Sequence, residues 1–203
     1  MTFKPFGIFC AALIAAGLLL TGCNDAPGTR AVKAASVPIS VAAIAADATG
    51  FTAGSALSLR TVYVFFDTQC SHCAALWLAA KPLKSQAKFV WIPVGLLNPA
   101  STSQGATLLA AIDPVAAMDE HEASMQARRG GISAGADINT QKNAVAKNTE
   151  LLKRLGLASV PTIVGTHTQT GALVIQEGSV STASLAALLG LDVPAGAGLV
   201  PAR

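Results

Sequence analysis

The sequence predicts an α/β domain built on a mixed sheet, and three observations carry that expectation. Thr61-Val62-Tyr63-Val64-Phe65-Phe66 is a dense β-branched and aromatic run, the composition of a strand covered on both faces. A helix-forming stretch over residues 73–84 separates it from a second apolar run over residues 88–94, so those two strands pair in parallel through a crossover helix. Asn98-Pro99 and Asp113-Pro114 then each set a capping residue before proline at a first helical position, which starts two helices before the next strand signal.

Taken in order, residues 40–46 form a short apolar run that fits a strand or a helix equally well. Residues 60–66 are the buried central strand, and residues 73–84 the crossover helix, with a kink expected at Pro82. Residues 88–94 make the second core strand. The capped helices run over 99–111 and 114–128; Gly130, Gly131 and Gly135 break the chain; residues 140–155 form another helix, which Gly156 ends. Residues 162–165 and 172–177 read as a hairpin around Thr170-Gly171, and residues 182–189 as the last helix. The order is strand, helix, strand, helical insertion, hairpin, helix.

The chain has 203 residues, enough for one domain with appendages and a substantial core. Its formal charge of +3 is scattered, and only Arg128-Arg129 pairs two basic residues, so no nucleic-acid partner is expected. Lys4 followed by an apolar run from Phe6 to Leu20 has the form of a secretory signal, because a membrane span needs roughly 20 apolar residues. The run closes on Leu20-Thr21-Gly22-Cys23, which resembles the lipobox of bacterial lipoproteins. That resemblance implies a signal peptide over residues 1–22, lipidation at Cys23 and a membrane held through the lipid. Asn24 after the cysteine resembles an outer-membrane sorting signal, so the expected location is the periplasmic side of a bacterial membrane, the outer one in preference. Residues 23–38 then form a small, polar tether, residues 39–192 the catalytic domain, and the Pro/Gly/Ala-rich residues 193–203 a mobile tail.

Of the four cysteines, Cys70 and Cys73 form a C-x-x-C pair where a strand feeds a helix. Unpaired N–H groups and the dipole at a helix start favour a thiolate, so Cys70 is the expected nucleophile, with an acidity in the range of about 3.5–7.5 known for such motifs. Cys73, one turn further in, can resolve a mixed disulfide. His72 between them can lower the Cys70 pKa further by a hydrogen bond or by charge. Other chemistry fits less well. A zinc site needs four ligands, and His121 and His167 lack a matching pair. Haem attachment needs C-x-x-C-H, whereas Ala74 follows Cys73. A purely structural disulfide closing so short a loop would remove little chain entropy. No metal or other cofactor is expected.

The residues Val62 to Cys73, with Leu76-Trp77 and Pro82 behind them, resemble the catalytic domain of DsbC/DsbG-type periplasmic thiol:disulfide interchange proteins, DsbG in particular. The similarity continues through Pro93-Val94-Gly95-Leu96-Leu97, residues 108–118, Glu122-Ala123 and Val160-Pro161-Thr162. It implies a thioredoxin-like fold with the helical insertion between the second core strand and a cis-proline hairpin. It also implies a cis bond before Pro161 and a substrate-binding loop, Val160, Pro161 and Thr162, whose backbone pairs with an extended client. The implied activity is disulfide exchange with exported proteins, recharged by a membrane redox partner. Three departures bear on the type of activity. The stretch from Cys23 to about Ser58 is short for the family's dimerisation domain, so a monomer is expected. The Ser71-His72 dipeptide and Val160 before the proline both resemble DsbA. Together the three departures favour an oxidant or specialised thiol reductase over an isomerase, and a disulfide isomerase or sulfenic-acid reductase of DsbG type is the alternative. A Cu(I)-binding thioredoxin-like lipoprotein, with Cys70, Cys73 and a histidine as ligands, is the alternative from another class.

Overall fold

The computed structural model describes residues 38–195. The expected signal peptide, Cys23, the tether through residue 37 and the tail beyond residue 195 lie outside the described residues. Twelve elements follow in chain order: α1 (Val41–Asp47), β1 (Phe51–Gly54), β2 (Thr61–Phe66), α2 (Ser71–Ala80) with a 3-10 turn at Lys81–Leu83, β3 (Lys88–Pro93), α3 (Pro99–Ala110), α4 (Pro114–Gln126), α5 (Asn139–Arg154), β4 (Thr162–Thr166), β5 (Leu173–Glu177) and α6 (Thr182–Leu189). The sheet has the order β1-β3-β2-β4-β5. β2 is central, parallel to β3 and antiparallel to β4, while β1 and β5 close the edges antiparallel. The sheet is mixed, and α3, α4 and α5 form the insertion between β3 and β4.

β2 reads as one continuous apolar run because both of its faces are covered. Successive side chains of a strand point to opposite faces. Val62, Val64 and Phe66 join the core beneath α2 and α6, with Trp77, Trp91 and Leu185. Tyr63 and Phe65 join the opposite core, with Ile44 of α1 and Leu151 and Leu152 of α5. Each fully buried side chain of this size contributes roughly 1.5–3 kcal/mol. Phe66, Trp77 and Trp91 meet edge to face at centroid distances of 5.6 Å and 4.9 Å, so the base of α2 sits on a rigid aromatic platform.

Local signals account for the helix starts. Ser40 caps α1 by accepting the Ala43 N–H at 3.0 Å, which resolves the ambiguous segment 40–46 as helix. Asn98 and Asp113 cap α3 and α4, each with proline in the first turn. The crossover helix begins at Ser71 and gives way to the 3-10 turn that contains Pro82, shorter than the expected 73–84. β1 is an addition to the expected topology: only four residues long, it is held by pairing with β3 and by burying Phe51 and Ala53. No helix among the described residues is long and apolar enough to cross a membrane.

Candidate functional site

The site is built at the end of β2. Asp67, fully buried, turns the chain there: its Oδ1 accepts the Gln69 N–H at 2.9 Å, and its Oδ2 accepts the N–H groups of Leu96 and Leu97 at 2.8 and 3.0 Å. One carboxylate thereby ties the turn before Cys70 to the loop after β3. The Cys70 N–H donates to the Asp67 carbonyl at 3.1 Å, and Cys70 itself is the N-cap of α2.

This placement separates the two thiols electrostatically. Both are free; Cys70 is half-buried and Cys73 fully buried. Cys70 is held down at about 6, first by a hydrogen bond from the Cys73 thiol, against the opposing effect of burial. The backbone N–H groups of Cys73 and His72 add to the depression, as does the charge of His72. Burial pushes the Cys73 thiol far up, and its hydrogen bond to Cys70 reinforces that. The helix-start N–H groups and His72 contribute, as the sequence leads one to expect. Here the largest stabiliser is the second cysteine, because its proton points at the sulfur that would carry charge. His72 is exposed and acts mainly through its backbone N–H.

The loop before β4 reaches the same place. The Val160–Pro161 peptide is cis, and the Cys70 thiol donates to the Val160 carbonyl at 3.6 Å. A groove of about 620 Å³ runs past Cys70 and His72 between Leu96 and Leu97 on one side and Ser159 and Val160 on the other. Leu96 and Leu97 are 37% and 54% exposed, so an apolar wall faces solvent beside the nucleophile. Thr162 is not part of that wall. Its side chain is fully buried and its hydroxyl donates to the Ser159 carbonyl at 2.7 Å, so it braces the loop from behind. Of the residues singled out in the sequence, Cys70, Cys73, His72, Val160 and Pro161 converge, Thr162 supports them, and Cys23 lies outside the described residues.

Three contributors escaped the sequence reading. Asp67 carries a local signal, an acidic side chain bonding an N–H two residues on. His121 of α4 carries none and Glu122 only its place in the DsbG resemblance, since their burial is created by packing. Glu122 is pushed up to about 7, first by burial and then by the negative charges of Cys70 and Asp119, so its ionisation and that of Cys70 oppose each other. Among the described residues no three His, Cys, Asp or Glu side chains are grouped to hold a metal ion.

No family model matches the chain. DsbG of Pseudomonas aeruginosa, a thiol:disulfide interchange protein, is 32% identical over 139 residues, 68% of this chain and 54% of that protein. The chain is related to DsbG. The DsbG of Escherichia coli is also 32% identical, over 108 residues covering 50% of this chain and 42% of the relative. The chain thus spans about half the length of the curated DsbG proteins it matches. A periplasmic thioredoxin-like protein from Salmonella enterica serovar Typhimurium superposes with a TM-score of 0.59 at 16% identity, over 76% of this chain and 97% of that one. The fold is thioredoxin-like, as the DsbG resemblance implies.

Proposed function

We propose that this chain is a thiol:disulfide oxidoreductase of exported proteins, with Cys70 as nucleophile and Cys73 as resolving thiol. The observation that carries the reading is the split between the two sulfurs: one thiol held down at about 6 in an open groove, the other buried and pushed up, a single turn apart. In the reducing direction the Cys70 thiolate attacks one sulfur of a client disulfide. The Cys70–client bond forms, the client S–S bond breaks, and the departing thiolate takes a proton. Cys73 then loses its proton and attacks the Cys70 sulfur, so the Cys70–Cys73 disulfide forms and the second client thiol leaves. The client gains two electrons and the protein loses two; reversal oxidises a client dithiol. The Val160 backbone and the apolar wall of Leu96 and Leu97 receive the client strand, and Pro161 shapes the loop.

The depressed Cys70 pKa favours the oxidising direction, because stabilising the thiolate stabilises the reduced form relative to the disulfide. Equilibration with glutathione buffers is the test. The reduction potential of the Cys70/Cys73 couple is expected above the thioredoxin value of about −270 mV and toward the DsbA value of about −120 mV. A value at or below thioredoxin's would reverse the direction, and the absence of any reversible couple would remove the enzymatic reading. Isomerase or sulfenic-acid reductase activity, which the sequence resemblance to DsbG implies, is the second reading; similarity to a thiol:disulfide interchange protein supports its disulfide-exchange part.

The sequence features at the N-terminus support a periplasmic location with lipid on Cys23 and recharging by a membrane redox partner. Cys23→Ala is expected to move the protein from the membrane fraction to the soluble one, or to block its processing. Unchanged fractionation and processing would overturn the anchor.

A further inference from the structure

The turn that presents Cys70 is held from outside by the helical insertion. Thr68, buried, donates its hydroxyl to the Ser101 carbonyl at 3.4 Å, and its own carbonyl lies 2.7 Å from His121 Nε2. Gln69 reaches the Gly130 carbonyl at 3.4 Å, and Gln104 donates to the carbonyls of Gly130 and Ile132 at 2.7 and 3.0 Å. The two residues before the nucleophile are therefore bound to α3, α4 and the loop behind them.

His121 is the fully buried centre of this network. Its Nδ1 accepts the Ile132 N–H at 3.2 Å. A backbone amide can only donate, so Nδ1 carries the lone pair, Nε2 carries the proton, and the ring donates to the Thr68 carbonyl. Burial, the larger influence, favours the same neutral ring, although the Thr68 carbonyl opposes it. Gly131 closes the loop over the ring at φ +90, where a Cβ would clash with His121 Cε1 and crowd Gln104 Nε2. The ring can neither tilt nor be crowded without disturbing the turn.

We propose that His121 is a positioning residue for Cys70: by holding the Thr68 carbonyl it fixes the turn that sets the Cys70 sulfur in line with its stabilising donors. Those donors are the Cys73 thiol and the N–H groups of His72 and Cys73, all on α2, so their directions are set once the helix starts at Ser71. Without a partner the buried Thr68 carbonyl must turn to find one, and the Gln69–Cys70 backbone turns with it.

The inference deepens the exchange reading, but its test needs no client. The reduced full chain is alkylated with iodoacetamide across pH to titrate Cys70, with thermal melts followed in parallel. His121→Asn keeps an acceptor for the Ile132 N–H but is too short to reach Thr68, whereas the longer amide of His121→Gln can donate to Thr68. His121→Asn is expected to raise the Cys70 pKa by about one unit, a tenfold loss of thiolate on the acid side. His121→Gln is expected to restore the native value, and Gly131→Ala, which crowds both the His121 ring and Gln104 at a left-handed φ, to raise the Cys70 pKa as well. Equal pKa values in the Asn and Gln variants, or lowered melting with the Cys70 pKa unmoved in all three, would reduce His121 to a packing role. If His121→Asn does not fold, His121→Phe, which keeps a ring but has nothing to donate to the Thr68 carbonyl, is compared with His121→Gln by the same criterion. Native Cys70 acidity in a protein that exchanges no disulfides would sink the exchange reading and leave this one standing.

Discussion

Cys73→Ala is expected to leave the protein covalently joined to its clients, and Cys70→Ala to abolish exchange altogether. The asymmetry follows from placement. Cys70 lies in the groove with its pKa at about 6, so it is mostly thiolate at neutral pH, and the thiolate is the species that attacks. Cys73 is fully buried with its pKa pushed up, so in a Cys70→Ala protein the remaining sulfur is both protonated and shielded. In Cys73→Ala the first attack still occurs, but no second thiol can release the client. Adducts should accumulate on non-reducing gels and vanish on reduction. The same variant also loses the donor that most depresses the Cys70 pKa, so its titration should move upward toward the free-cysteine value of about 8.5. In the native protein the sign is the reverse. The folded pKa lies below the free value, so the stability contributed by the thiolate is present above about 8.5 and lost as pH falls through about 6. Alkylation of Cys70 should accordingly fall tenfold per unit below pH 6. Adducts trapped by Cys70→Ala, with none from Cys73→Ala, would exchange the two roles.

Asp67→Ala is expected to cost roughly 3–5 kcal/mol of folding stability. A fully buried carboxylate there accepts three backbone N–H bonds, from Gln69, Leu96 and Leu97. Hydrogen bonds to a charged group contribute about 1.5–3 kcal/mol each, and these three are not additive because they share one acceptor group. Domains of this size are stable by only about 5–15 kcal/mol, so the loss is a large fraction of the total. Asp67→Asn preserves the shape and one acceptor oxygen and should lose distinctly less. Urea unfolding of the reduced proteins would show it. A loss below about 1 kcal/mol for Asp67→Ala would mean that solvent replaces the carboxylate and that the turn is held elsewhere.

Much of this architecture is legible in local chemistry. The run of β2 is apolar from Val62 to Phe66 because two helical layers cover it, and that pattern is visible without coordinates. Asn98-Pro99 and Asp113-Pro114 begin α3 and α4 where capping chemistry demands, and α6 occupies residues 182–189 as read. Legibility stopped where an element depends on its neighbours. β1 has four residues and no distinctive composition; it exists because β3 offers it an edge. The segment 40–46 declared itself only through the Ser40 cap and the burial of Ile44 against α5.

The same division runs through the site. The sequence by itself determined that two cysteines stand one turn apart at the start of a helix fed by a central strand, because spacing and the strand-to-helix change are properties of adjacent residues. It determined Pro161 as the partner loop only through resemblance. The tertiary structure decided which forces act on those sulfurs. It buried Cys73 so that its thiol, more than His72, stabilises the Cys70 thiolate, drew Thr162 behind the groove, and brought Asp67, His121 and Glu122 around the redox turn. Acidity, hydrogen-bond direction and desolvation depend on which distant residues come together, and for α4 and the turn before Cys70 those partners stand 53 positions apart in the chain, from Thr68 to His121.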